Sequence, residues 1–232
     1  MAKGLTAAIF FALLGLLALS TACGGDGGGP AIDIKDFDTA RFTMTQTSTT
    51  GEKSSELAGE GLIDNRKQAL SVTYQGEPGG QVIAIGRTIY TLSKGESQWT
   101  SVEEPIDGQV GFGRPYWPKF WLDAVQVEGL GGQSLQGGET TGYRLSFDLD
   151  KVGKRLQASG ATEPLDVRQA EVEVWVENES RYAVQLTFRL ELASGANSTK
   201  LEITSDFSDF GTAVDIEAPA DLATPAPTQA RP

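Results

Sequence analysis

A strict alternation of apolar and polar residues constrains this chain more than any other feature. From Tyr182 to Leu192, six apolar residues occupy every second position, with Gln, Thr, Arg and Glu among the residues between them. Successive side chains of a β-strand point to opposite faces, so this spacing places all six on one face. The segment therefore predicts a strand of an antiparallel sheet, buried on one face and solvated on the other.

The same pattern recurs along most of the chain. Residues 171–177 alternate Glu with Val and Trp, and residues 178–181 connect them to the first segment as a hairpin turn. A third alternating segment covers residues 143–149, and a Thr-rich segment covers residues 41–50. Further strands are predicted at residues 59–63, 69–74, 82–85, 88–92, 98–102 and 201–207. We therefore predict about ten strands, mostly separated by turns that contain Gly, Asn or Asp.

Few segments have helical spacing. Residues 118–125 begin with Pro and carry apolar side chains at helical positions, residues 151–158 give a weaker pattern, and residues 36–41 predict a short turn. A long one-sided sheet must cover its apolar face, either by closing or by curling around helices. We therefore predict a mainly β (α+β) fold: a curved antiparallel half-barrel sheet with one or two helices across its concave face.

The N-terminus has the layout of a bacterial lipoprotein signal. Lys3 precedes an apolar run at residues 5–19, and small residues lead to Cys23, the only cysteine of the chain. The usual Leu three residues before the cysteine is replaced by Ser20. We predict a lipoprotein signal peptide at 1–22, a lipidated Cys23 with a Gly-rich tether at 23–34, a folded domain at 35–221 and a disordered Pro/Ala-rich tail at 222–232.

Composition excludes several classes of function. The chain has no His and one Cys, so it lacks the residues of a His-dependent catalytic triad, an internal disulfide or a thiolate zinc site. Its 31 acidic against 19 basic residues oppose binding to nucleic-acid phosphates. Carboxylate pairs such as Glu171 and Glu173 share one strand face, which we interpret as a solvated surface. We therefore predict no enzyme activity, no cofactor, no metal site and no nucleic-acid partner.

The apolar side chains of the sheet are the candidate binding residues. Trp117, Phe120 and Trp121 form an aromatic segment that is either a plug of the core or the wall of a cavity. The remaining candidates are placed on the same concave face by their strands: Phe42, Met44, Ile83, Ile85, Phe147, Leu186 and Phe188. The alternation of apolar and polar residues does not show which of these side chains line a cavity and which fill a core.

The order of these features resembles the LppX/LprAFG-type lipoproteins of the LolA/LolB-like superfamily. The similarity spans residues 35–221 and departs from the family at Gly142, where relatives often carry His. The matching segments are the lipobox with Cys23, the Thr-rich strand at 42–50, residues 85–90, 98–100, 137–144 and 174–176, and the closing segments 207–211 and 214–219. Each motif is unspecific by itself, and their common order carries the resemblance.

The resemblance implies an apolar cavity for lipid or lipoglycan acyl chains between the sheet and its helices. The protein would then be anchored to the extracytoplasmic face of the cell membrane through acylated Cys23, and would carry or present lipids in the cell envelope. A transporter partner remains unidentified. The alternative is a structural or sensor lipoprotein on the same fold, with a filled core, no catalysis and no ligand.

Overall fold

The computed structural model describes residues 32–76, 79–86, 88–103, 124–158, 166–194 and 197–222. The signal peptide, Cys23, the aromatic residues Trp117, Phe120 and Trp121, and residues 223–232 lie outside the described residues. Most of the helix predicted at 118–125 also lies outside them, and its last two residues, Ala124 and Val125, are not helical.

The described part of the chain consists of eleven strands and one helix. The helix α1 is Leu149–Ala158. The strands are β1 Thr39–Thr50, β2 Lys53–Asp64, β3 Ala69–Gln75, β4 Gly80–Ile85, β5 Thr88–Ser93, β6 Thr100–Glu103, β7 Gln126–Leu135, β8 Gly138–Ser146, β9 Asp166–Glu177, β10 Ala183–Ser194 and β11 Asn197–Ser208.

All eleven strands form one antiparallel sheet in the order β6-β5-β4-β3-β2-β1-β11-β10-β9-β8-β7. The chain runs outward from β1 to the edge strand β6, and then returns from the other edge, β7, to β11 at the centre. The sheet is long and curved. Its edge strands β6 and β7 do not pair with each other, so the sheet is not closed into a barrel. The predicted mainly β, curved antiparallel class is confirmed.

The helix begins where a cap interrupts a predicted strand. The sequence predicts a strand at 143–149, but β8 ends at Ser146. The Asp148 carboxylate accepts a hydrogen bond from the backbone N–H of Lys151 at 3.1 Å, which is the N-cap arrangement. The helix contacts β9 and contributes Val152 to the core.

The core lies on one face of the sheet. In an antiparallel pair, residues directly opposite each other point to the same face. Phe42 on β1 lies opposite Phe207 on β11 and Gly61 on β2, and Leu186 on β10 lies opposite Val174 on β9. The same register extends through β8 at one side and through β3 and β4 at the other. We call this continuous surface the apolar face.

An N-terminal strap, residues 32–38, crosses one end of the apolar face. Arg181, in the β9–β10 turn, donates from its guanidinium to the backbone oxygen of Asp33 at 3.0 Å and accepts from the backbone N–H of Lys35 at 2.9 Å. Asn65, in the β2–β3 turn, donates to the backbone oxygens of Phe37 and Asp38, both at 2.7 Å. These bonds fasten the strap to the two turns. Because β1 already begins at Thr39, the short turn predicted at 36–41 is wrong.

The strap carries apolar side chains into the core. Ile32 and Phe37 are buried, and Ile32 lies before residue 35, the predicted start of the domain. The Phe37 ring packs edge-on against Phe210 at 5.3 Å between centroids, and Phe210 stacks on Tyr182 at 4.5 Å. Aromatic pairs at these distances stabilise each other beyond simple area burial. The strap therefore closes this end of the apolar face.

Gly61 is required because the Phe42 ring lies directly over it. A Cβ on Gly61 would stand 2.5 Å from Cζ of Phe42 and would also collide with the backbone oxygen of Ser71. We expect Gly61→Ala to lower the free energy of unfolding by about 1–3 kcal/mol in urea denaturation, as overpacking does. Gly129→Ala is the matched control, because a Cβ there meets open space. Equal stability of the two variants would contradict this packing.

Candidate functional site: the apolar face

Five of the sequence-predicted residues meet on the apolar face. Phe42, Leu186 and Phe188 are buried in its core cluster, and Met44 and Phe147 are half-buried and pack against that cluster. Met44 follows Phe42 on the same face of β1. Phe147 reaches the cluster from the residue after β8 rather than from within a strand.

The predicted positions of Ile83 and Ile85 on this face are wrong. Their neighbours Val82 and Ala84 lie opposite Val72 and Leu70 and are buried, so those two residues face the core. Ile83 and Ile85 therefore point to the other face of the sheet, where Ile83 lies opposite Tyr90. The sequence could not decide this, because all four residues from 82 to 85 are apolar and show no alternation.

The structure adds half-buried residues to this face that sequence reasoning missed. Tyr74 ends the apolar row of β3 and packs against both core clusters. Burial raises the pKa of the Tyr74 phenol to about 12, because desolvation disfavours the phenolate. The neutral phenol is thus held on an apolar surface. The other half-buried members of β3, β7, β8 and β10 are Leu70, Val127, Tyr143 and Leu192.

The apolar face changes character along β1. From the strap end outward, the residues on this face are Ala40, Phe42, Met44, Gln46, Ser48 and Thr50. On β2 the outer end is polar as well, with Ser55 opposite Ser48. On β11 and β10 it stays apolar, because Leu201 lies opposite Ser48 and Leu190 lies opposite Leu201, and both leucines are buried. The sequence shows the alternation of Phe42 and Met44, but it does not show which residues lie beside Ser48 and Thr50 in the sheet. The face therefore becomes polar at the outer ends of β1 and β2 and stays apolar along β10 and β11.

The opposite face carries a chain of ion pairs. Glu173 on β9 accepts from Arg144 on β8 and from Arg189 on β10, both at 2.8 Å. Arg189 also contacts Glu202 on β11 at 2.7 Å, and Arg144 contacts Glu128 on β7 at 3.3 Å. Glu171 and Glu173 do share one face, as their spacing predicts, and that face is turned away from the core.

The surroundings of Glu173 favour its ionised form. Partial burial raises its pKa, but the hydrogen bonds from Arg144 and Arg189 outweigh desolvation, and the net pKa is lowered. A general acid of a glycosidase needs the opposite, a raised pKa. The arrangement therefore fits a structural ion-pair ladder.

Two further findings concern the described residues only. No helix among them is long and apolar enough to span a membrane. No group of three His, Cys, Asp or Glu residues among them is placed to hold a metal ion.

Comparison with known proteins gives a structural likeness and no sequence match. No family model matches the chain, and no curated protein matches it. The crystal structure of the lipoprotein LppX from Mycobacterium tuberculosis is similar with a TM-score of 0.50 at 14% identity, covering 91% of this chain and 99% of that one. LprF from Mycobacterium bovis gives a TM-score of 0.39 at 12% identity, covering 79% of this chain and 90% of LprF. The chain therefore has an LppX-type fold, as the resemblance predicts.

Removal of the central carboxylate tests the ion-pair ladder. We expect Glu173→Gln to lower the free energy of unfolding by about 1–2 kcal/mol at neutral pH, because two charge-assisted hydrogen bonds are lost. The folded-state pKa of Glu173 lies below the ordinary 4.5. The difference between wild type and variant should therefore be full above pH 4.5 and disappear as the pH falls through the lowered pKa.

Urea denaturation at a series of pH values measures this difference. Glu60 lies on β2 and is exposed on the same face of the sheet as Glu173. Glu60→Gln therefore serves as the control and should change the free energy of unfolding little at any pH. A Glu173→Gln effect that stays constant down to the lowest pH would argue against the ladder.

Proposed function

We propose that this protein is a lipoprotein of the bacterial cell envelope that binds lipid acyl chains on its apolar face and carries or presents them. Acylated Cys23 would hold it on the extracytoplasmic side of the cell membrane. The single observation that carries the proposal is a continuous apolar face on a sheet with the fold of the lipoprotein LppX. Neither a cofactor nor a metal enters this function.

The chemistry of the apolar face suits acyl chains. Most of its half-buried members are aliphatic or thioether side chains or phenylalanines, and they offer dispersion contacts to an acyl chain. Met44, Leu70 and Val127 are examples, whereas Tyr74 and Tyr143 each add one hydroxyl. Each CH₂ removed from water contributes about 0.8 kcal/mol, so an acyl chain gains affinity in proportion to the length that is covered.

The position of the strap is compatible with a membrane anchor. The described chain begins at Ile32, only nine residues after Cys23. An extended segment of this length reaches at most about 30 Å. An acylated Cys23 would thus keep the strap end of the domain close to the membrane surface. Two or more acyl chains on that cysteine would suffice for stable anchoring.

One observation favours the alternative of a ligand-free lipoprotein. Phe42, Leu186 and Phe188 are each less than 10% exposed, as a filled core would have them. Under that alternative the half-buried residues would be surface-facing members of the core and would hold nothing. Lipid binding by the purified protein distinguishes the two functions.

Met44 and Ile83 provide a matched pair for a binding test. Both are half-buried, but Met44 lies on the apolar face and Ile83 on the opposite face. We expect Met44→Gln to weaken acyl-chain binding about tenfold, because it places an amide against the ligand. Ile83→Gln should leave binding unchanged.

Native mass spectrometry of the full-length protein, released from detergent micelles after incubation with a bacterial lipid extract, measures the bound fraction. Absence of any bound lipid on the wild type would reject the proposed function in favour of the ligand-free alternative. Equal losses in the two variants would mean that lipid does not bind on this face.

The anchor is tested separately through the cysteine. Cys23→Ser removes the thiol that would be acylated, so we expect the protein to leave the membrane fraction or to remain unprocessed. Fractionation of cells followed by intact-mass measurement detects both outcomes. A variant that stays membrane-bound at the processed mass of the wild type would contradict lipid anchoring.

A further inference from the structure

Trp175 leans across the face of the sheet that is opposite to the apolar face. It is half-buried on β9, where it lies opposite Gly142 of β8. A Cβ on Gly142 would stand 2.5, 2.6 and 2.8 Å from Cζ3, Cη2 and Cε3, three consecutive carbons of the six-membered ring. Because these distances are nearly equal, the indole covers Gly142 with a face rather than with an edge. Its other face is therefore turned away from Gly142.

The indole of Trp175 has no partner among the residues that the structure describes. No other aromatic ring and no cation stacks on it, and its N–H forms no hydrogen bond. The N–H is not one of the buried polar atoms that lack a partner, so it reaches solvent. Tryptophan combines a large apolar surface with a polar donor, which suits it to surfaces that bind other molecules. Trp175 offers both to a ligand.

The surface beside the indole is formed by backbone alone. Gly142 pairs with Gly131 of the edge strand β7, so the row that starts at Trp175 has no further side chain in this direction. Gly131 lies at the bulge of β7 with a φ of +88°, and a Cβ there would meet nothing within 4 Å. Bulges and glycines within strands are common where a ligand approaches the backbone closely. The indole therefore borders a notch that the described residues leave open at the sheet edge.

Hydrogen-bonding side chains border the indole on both sides. Toward the strap end, the carboxylate of Glu177 leans over Gly138, where a Cβ would stand 2.5 Å from its Oε1. No described residue donates a hydrogen bond to this carboxylate. Away from the strap end, Arg144 and Glu173 form an ion pair at 2.8 Å. Residues two apart on a strand are about 7 Å from each other, so both borders lie within reach of a small ring that stacks on the indole.

The chemistry around the indole selects the class of ligand. The negative face of an aromatic ring attracts polarised C–H bonds, and flat rings such as nucleobases also stack on it. The three carboxylates of Glu128, Glu173 and Glu177 outnumber the guanidinium groups of Arg144 and Arg189, and the whole chain has a charge of −12. These charges repel phosphates and acidic sugars. A neutral pyranose has a C–H face for the indole and hydroxyls that bond to carboxylates and guanidinium groups.

We propose that Trp175 is the platform of a binding site for a neutral pyranose ring of a carbohydrate. The C–H face of the sugar stacks on the outward face of the indole, and the rest of the ring extends over the notch at Gly131. The sugar hydroxyls donate to Glu177 and accept from Arg144. This site lies on the opposite side of the sheet from the proposed acyl-chain surface, so it is independent of lipid binding.

NMR of the indole N–H groups tests the site on the full-length protein, held in micelles of a sugar-free detergent. The chain has four Trp residues, and the signal that Trp175→Phe lacks belongs to Trp175. Four neutral oligosaccharides are titrated in turn: maltotetraose, mannotetraose, galactotetraose and chitotetraose. We expect at least one of them to shift the Trp175 signal to saturation with millimolar affinity, because a single sugar ring offers few atoms for contact.

Saturation-transfer NMR, which observes the sugar, then measures the affinity of the variants. We expect Trp175→Thr to weaken binding at least tenfold, because the platform is lost while a β-branched residue maintains the strand. Glu177→Gln should weaken binding about three- to tenfold, because an amide oxygen accepts less strongly than a carboxylate. Trp99→Phe and Glu60→Gln are the matched controls and should leave binding unchanged, since Trp99 lies beside the far edge strand β6 and Glu60 lies on β2.

The wild-type titration is decisive even if Trp175→Thr fails to fold. A Trp175 signal that none of the four sugars shifts to saturation would overturn the carbohydrate site. Equal affinities of the wild type and Trp175→Thr, or an equal loss in Trp175→Thr and Trp99→Phe, would overturn it as well. None of these results bears on the binding of lipid to the apolar face, which is measured separately.

Discussion

The pairing of β1 with β11 is the interaction on which the rest of the structure depends. Every other pair in the sheet joins strands that are consecutive in the chain, whereas this pair joins the two halves, with Thr50 and Thr199 separated by 149 positions. Ten residue pairs set its register. A slip of one residue would turn one half of the apolar face toward solvent, because strand side chains alternate. The tilted contact of Phe42 with Phe207 at 6.0 Å secures this register near the strap.

The two faces of the sheet meet different physical demands. The apolar face obtains its stability from burial, so its residues can be exchanged for others of similar volume with modest effect. The opposite face is stabilised by directional contacts, in which Glu173 connects two arginines on the strands to either side. Because the ion pairs link each strand from β7 to β11 to the next one, this half of the sheet is cross-linked on the face that is turned away from the core.

Strong alternation made much of the fold predictable, and its absence marks where prediction failed. From Gln185 to Leu192 polar and apolar residues alternate at every step, and β10 indeed occupies Ala183–Ser194. At residues 182–184 all three side chains are apolar, and a bulge there places Ala183 opposite Val176 in the core, which the alternation did not predict. At Ile83 and Ile85 the sequence is apolar throughout, so only the pairing partners of β4 could assign the faces. Phe147 was placed within a strand because the cap formed by Asp148 depends on hydrogen-bond geometry that spacing does not reveal. The burial of Gln46 was unpredictable for a related reason: a Thr-rich strand does not show which of its polar residues is buried.

The strap determines how a pulling force applied at the N-terminal end of the described domain would act on the sheet. A pull on residue 32 would be transmitted through Arg181 to the β9–β10 turn and through Asn65 to the β2–β3 turn, which lie on opposite sides of the β1–β11 seam. The load is then divided between the two halves of the chain and acts as shear on several strands. Without these two clamps, the same pull would peel β1 from β11 one hydrogen bond at a time.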